Sequence, residues 1–146
     1  MLCCQNDILN FRLKAIYQMT KVIVIIGLPG SGKSTLGKKL SKELGIPFFD
    51  DCITTEEHWN NANEALEKEE DCILSDPRFC QNVTYKLFLT KLNCDFDIEF
   101  IYFKNEPNVC KKNSQERDNK VIDNKFIDHL SEGYNPPENA LPCHKE

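Results

Sequence analysis

Apolar and polar residues change their spacing repeatedly along this chain, and each change marks an element. Residues 22–26 are five β-branched apolar residues with no polar alternation. That is the pattern of a strand buried on both faces of a parallel sheet. From Lys33 to Leu44 the spacing turns helical: Leu36, Leu40 and Leu44 recur every four residues, lysines lie between them, and Gly45 follows. Residues 46–51 (IPFFDD) read as a second strand, with Pro47 near its start. A helix capped by Thr54 or Thr55 runs to about residue 70 and carries Trp59, Ala62, Ala65 and Leu66 on one face.

The alternation continues. Residues 72–75 (CILS) read as a third strand, and 81–92 as a helix through Val83, Leu87 and Phe88. Residues 97–103 read as a fourth strand, and 106–113 as a helix with Pro107 in its first turn. A last helix over 120–130 carries Val121, Ile122, Phe126, Ile127 and Leu130; Gly133 stops it, and the remainder reads as irregular. Strands alternating with helices predict a three-layer α/β/α domain with a mostly parallel sheet of four strands, or five. Residues 1–18 precede the first strong strand and Met19 would make a natural start. They are expected to be an appendage to a single domain over 19–146.

Composition narrows the function only a little. The 28% charged and 40% hydrophobic fractions fit an ordinary globular protein, and a net charge of -5 speaks against broad nucleic-acid binding. Eight cysteines include no CxxC pair and no zinc-ligand spacing, so reduced thiols in a cytoplasmic, reducing compartment are expected. No stretch has the roughly 18 apolar residues of a membrane span, and the N-terminus does not read as a signal peptide.

The chemistry sits after the first strand. Gly27-Leu28-Pro29-Gly30-Ser31-Gly32-Lys33-Ser34 fits the phosphate-binding P-loop, or Walker A, pattern between a strand and a helix. Glycines let backbone N–H groups face a phosphate at close range. Lys33 is expected to reach the β- and γ-phosphates of ATP or another nucleoside triphosphate, and Ser34 to ligate Mg²⁺. Thr35 is expected to bond locally or to the α-phosphate.

Other candidates surround it. Asp50 and Asp51 end the second strand, where they could take an acceptor's proton or help hold the metal. Asp76 follows CILS as in a Walker B strand and is a candidate metal acid beside Ser75. The chain has three arginines, Arg12, Arg78 and Arg117. Arg78 is placed to clamp a substrate anion, and Arg117 lies in a polar stretch, about 111–120, able to close over phosphates. Lys111, Lys112 and Lys120 are weaker candidates. His58 reads as surface.

These motifs resemble the small P-loop kinases of the adenylate-kinase-like group. The opening VIVIIGLPGSGKSTLGKKL carries the likeness, with an acid ending the second strand and an arginine-bearing segment after the fourth. GYNPPE at 133–138 resembles the adenylylsulfate-kinase and polynucleotide-kinase branch most closely. The resemblance implies triphosphate binding by residues 27–35, a lid role for Arg117 and an acceptor-side or base role for Asp50 or Asp51. It implies phosphoryl transfer from ATP, with Mg²⁺, to a hydroxyl or phosphate acceptor, whether a small molecule or a nucleic-acid end. In such kinases a fifth strand that helps hold the adenine follows this segment. Only eight residues follow Glu138, so the C-terminus is expected to be shortened and that strand missing. Two readings stay open beside the kinase: a nucleotide-binding regulator without catalysis, and an NTP hydrolase.

Overall fold

The apolar run at 22–26 becomes the middle strand of the sheet. The computed structural model describes residues 19–90, 96–117 and 124–143. In chain order the elements are β1 (Thr20–Ile26), α1 (Lys33–Leu44), β2 (Phe48–Phe49), α2 (Glu56–Glu67), β3 (Cys72–Ser75), α3 (Asn82–Thr90), β4 (Phe96–Tyr102), α4 (Pro107–Arg117), α5 (Asn124–Glu132) and β5 (Leu141–Pro142). A 3-10 turn over Pro77–Cys80 links β3 to α3. The strands lie in the order β2-β3-β1-β4-β5, all parallel. The proposed appendage at 1–18, with Arg12, lies outside the described residues, as do Lys120, Val121 and Ile122.

Period-two alternation within β1 splits the core into two. Val22, Val24 and Ile26 face one side, with Cys72, Leu74, Ala62, Leu66, Phe88, Ile127 and Leu130. Ile23 and Ile25 face the other, with Ile73, Leu36, Leu40 and Phe48. Residues 22–26 are at most 5% exposed, and burying each contributes about 1.5–3 kcal/mol. Trp59 meets Phe88 edge-on, with ring centroids 5.8 Å apart.

Four expectations are corrected. The second strand is shorter than 46–51: only Phe48 and Phe49 pair with β3, and Asp50 already lies in the turn beyond. α3 buries Phe88 as expected, but Val83 and Leu87 are 65% and 61% exposed and Tyr85 is buried instead. α4 runs on to Arg117, which ends a helix rather than lying between two, because nothing in KKNSQER breaks one. The fifth strand is present: Leu141 and Pro142 pair with Ile101 and Tyr102. Pro142 is tolerated there because β5 is an edge strand. Tyr134, within GYNPPE, donates its hydroxyl to the Phe103 carbonyl and anchors the approach to β5.

Candidate nucleotide site

Parallel strands bring their carboxyl ends to one edge, where open α/β sheets place ligands. At this edge β1 runs into the P-loop, with Gly30 and Gly32 at φ 85° and 102°. The backbone reaches α1 with Gly32 as N-cap, no side-chain cap bond and no acid in the first turn. α2 is the opposite case: Thr55 accepts from the His58 N–H, and Glu56 and Glu57 fill its first turn. α1 therefore presents uncapped N–H donors and an uncompensated positive dipole end.

Four observations fit a triphosphate and a divalent cation. The glycine backbone holds a concavity whose donors no side chain caps. The Ser31 hydroxyl is buried without a hydrogen-bond partner among the described residues, so the site holds a polar group that the protein leaves unsatisfied. Lys33 is 6% exposed, and its charge pulls down the pKa values of Asp51 and Cys80 against larger opposing effects. Hard oxygen donors of the kind Mg²⁺ takes lie alongside, in Ser34 and Asp50.

Asp50 is the hub. The Ser34 hydroxyl donates to its Oδ2 at 2.5 Å, and the Ser75 hydroxyl, at the end of β3, donates to its Oδ1 at 2.7 Å. Three segments far apart in sequence, α1, the turn after β2 and β3, thus converge on one carboxylate. Asp51 follows at φ 52°, a conformation that Asp tolerates better than most residues. Burial pushes its pKa up, Asp50 adds to this, and Lys33 opposes it. His58 contacts its carbonyl through Nδ1 at 3.2 Å.

Asp76, next to Ser75 and close enough for its charge to help raise the Asp51 pKa, has hydrogen-bond partners of its own. It is fully buried and accepts from the Ile53 N–H at 3.1 Å, the Thr54 hydroxyl at 3.0 Å and the Arg78 N–H at 3.0 Å. Those bonds hold the loop after β2 against the 3-10 turn. Arg78 is exposed and donates to the Ile53 carbonyl at 3.1 Å, bracing the same loop. Lys111 pairs with Asp128 at 2.6 Å, which ties α4 to α5. Arg117 stands at the C-terminal end of α4, and residues 118–120 lie outside the described residues.

Beside the P-loop an open cleft of about 320 Å³ is lined by Gly30, Gly32, Thr35, Lys39, Asn113 and Cys143, among others. Sequence reasoning missed Asn113 and Cys143 as wall residues. Asn113 donates to the Gly30 carbonyl at 3.2 Å, across a separation that no local motif spans.

The family model described as AAA domain matches residues 23–139, most of the chain. The chain belongs to that family. An uncharacterized protein of Acanthamoeba polyphaga mimivirus is 35% identical to this AAA-domain chain over 119 residues, 78% of this chain and 86% of that one. Shikimate kinase from Mycobacterium avium is 59% identical, but over 32 residues, 22% of this chain and 18% of that enzyme. Among solved structures, a gluconokinase from Sinorhizobium meliloti superposes with a TM-score of 0.60 at 16% identity, covering 85% of this chain and 82% of that one. A sugar kinase from Janibacter reaches 0.64 at 15% identity, covering 85% and 83%. The AAA-domain chain therefore has the α/β P-loop kinase fold. Its likeness to the adenylylsulfate-kinase and polynucleotide-kinase branch stands on sequence motifs alone. Among the described residues, no helix is long and apolar enough to cross a membrane.

Proposed function

We propose that this protein is an ATP-dependent kinase that moves the γ-phosphoryl group of a bound nucleotide to a hydroxyl-bearing acceptor. The observation that carries the reading is the convergence of Ser34 and Ser75 on Asp50 beside an uncapped P-loop. Residues 27–35 hold the triphosphate, with backbone N–H groups and Lys33 matching its charge. Ser34 and Asp50 hold Mg²⁺, which when bound offsets charge on the phosphate oxygens. Asp76, engaged by three donors, supports the acceptor-side loop rather than the metal.

In the transfer the acceptor oxygen bonds to the γ-phosphorus while the bond to the β,γ-bridging oxygen breaks. The diphosphate leaves, and the acceptor proton passes to the Asp51 carboxylate. The raised pKa of Asp51 makes it a stronger base than an ordinary aspartate. Charge favours a hydroxyl over a phosphate acceptor. The strand ends present Asp50 and Asp51, and the exposed Arg78 guanidinium, which gives one of its five donors to the Ile53 carbonyl, stands on the loop beyond them. A second phosphate would meet those carboxylates across a short distance, whereas a hydroxyl has a proton to lose and no charge to repel.

Transfer of labelled γ-phosphate from ATP and from GTP into acceptor pools tests this. One pool holds uncharged polyols, nucleosides and 5′-hydroxyl oligonucleotides, and the other holds nucleoside monophosphates. Label is expected in the first pool and lost in Lys33→Ala. Tight Mg²⁺-nucleotide binding with no transfer to either pool would replace the kinase with a nucleotide-binding regulator, and acceptor-independent release of phosphate would point to a hydrolase.

A further inference from the structure

The acids and the cleft lie on opposite sides of the P-loop. With the strands in the order β2-β3-β1-β4-β5, Asp50 and Asp51 after β2 and Ser75 at the end of β3 fall on one side of β1. The cleft is walled from the other side, by Phe103 after β4, Cys143 after β5 and Asn113 on α4. Gly30, Gly32 and Thr35 line it as well. A nucleotide whose γ-phosphate meets Lys33, Ser34 and Asp50 therefore extends its nucleoside toward this cleft. The lining suits an uncharged ring: Leu36 and Phe103 are apolar, and Lys39 is the one charged residue among the described residues that line it.

Asn113 is half-buried in that wall. Its Nδ2 donates to the Gly30 carbonyl at 3.2 Å. A carbonyl only accepts, so this bond decides which end of the amide is nitrogen and which is oxygen. Oδ1 is left as an acceptor, and no described residue donates to it. We propose that Asn113 selects the base: its Oδ1 accepts a hydrogen bond from the 6-amino group of adenine, so the site takes adenine nucleotides and rejects guanine nucleotides. Guanine carries a carbonyl oxygen at that position, and two acceptors would face each other with neither bonded. An unconstrained asparagine escapes such a clash by turning its amide over. Here the turn would set Oδ1 against the Gly30 carbonyl and lose the bond that Gly30 accepts. Loop and helix are in direct contact around that bond, since a Cβ on Gly30 would strike the Cys110 carbonyl. The P-loop thus holds the amide in the orientation that reads adenine. The inference rests on the nucleotide-binding part of the proposed function and not on where the γ-phosphoryl group goes.

Competition against fluorescent N-methylanthraniloyl-ATP with Mg²⁺, on the full chain, tests it with ATP, GTP, inosine triphosphate and purine riboside triphosphate. Inosine carries guanine's oxygen without its 2-amino group, and purine riboside carries neither amine nor oxygen at position 6. ATP is expected to bind roughly tenfold more tightly than the guanine and inosine compounds, with the purine riboside compound between. In Asn113→Ala all of them are expected to fall within about twofold of one another. A merely structural lesion would weaken every ligand by one factor and keep the ratios. Should Asn113→Ala not fold, the wild-type ratio of ATP to inosine triphosphate still decides. Equal wild-type affinity for these two, or an ATP preference that survives in Asn113→Ala, would overturn the proposal. If no triphosphate binds, the nucleotide reading falls with it. Selective binding without transfer to any acceptor removes only the kinase reading and leaves the role of Asn113 standing.

Discussion

The Ser34 hydroxyl lies 2.5 Å from Asp50 Oδ2, which joins the first turn of α1 to the turn beyond β2. The second oxygen of the same carboxylate is held by Ser75, so the Asp50 side chain is fixed from two sides before any ligand arrives. Asp50→Asn keeps the size but loses the charge that attracts a cation. Turnover in that variant is expected to fall on the order of 100-fold, with Mg²⁺-free nucleotide binding little changed. Steady-state rates and titrations with and without Mg²⁺ check this. Ser75→Ala, which frees one oxygen of Asp50, should give a milder loss of the same kind.

Asp51→Asn separates stability from activity. Burial and Asp50 raise the folded pKa of Asp51 above its unfolded value. The native state thus holds more protons through that interval, and stability declines as pH rises from the ordinary carboxylate range through the folded pKa. Asparagine removes the penalty and suits the left-handed backbone at φ 52°. Melting at pH 7 is expected to rise by up to about 4 °C, and the gain to vanish in acid below both pKa values. If Asp51 takes the acceptor proton, transfer falls about 100-fold or more in the same variant.

For Asp76 the expected defect is structural. Its carboxylate serves three donors, and an asparagine would turn an N–H group toward one of them. Asp76→Asn should cost about 1–3 kcal/mol, read in denaturant melts. The Mg²⁺ concentration giving half-maximal turnover should stay where it was. A shifted Mg²⁺ requirement at unchanged stability would return Asp76 to the metal.

Gly37 is buried in α1, and a Cβ there would run into the Phe48 ring. Gly37→Ala gains roughly 1 kcal/mol of helix propensity but overpacks the contact between α1 and β2. A net loss of about 1–2 kcal/mol is expected. Adding Phe48→Leu should recover part of it, measurable as non-additivity in a double-mutant cycle.

Local pattern carried the first third of the domain. A β-branched run, a glycine loop and a leucine-lysine helix each leave a signature within a few residues, and β1, the P-loop and α1 lie where those signatures put them. The misses have physical causes. Edge strands such as β5 are held by backbone pairing and need no apolar run, so exposed Leu141 and Pro142 gave no signal. Helical spacing in α3 fits more than one stripe, and only packing put Tyr85 beside the expected Phe88 in place of Val83 and Leu87. Contacts from Asp50 to Ser34 and Ser75, and from Asn113 to Gly30, join segments brought together by the sheet order alone.

The Cys143 N–H donates to the Tyr102 carbonyl at 2.8 Å, and Cys143 itself lines the cleft beside the P-loop. A bulky reagent attached to the half-buried Cys143 thiol would therefore crowd the cleft beside Gly30 and Gly32 and lower nucleotide affinity while leaving every residue of the P-loop intact.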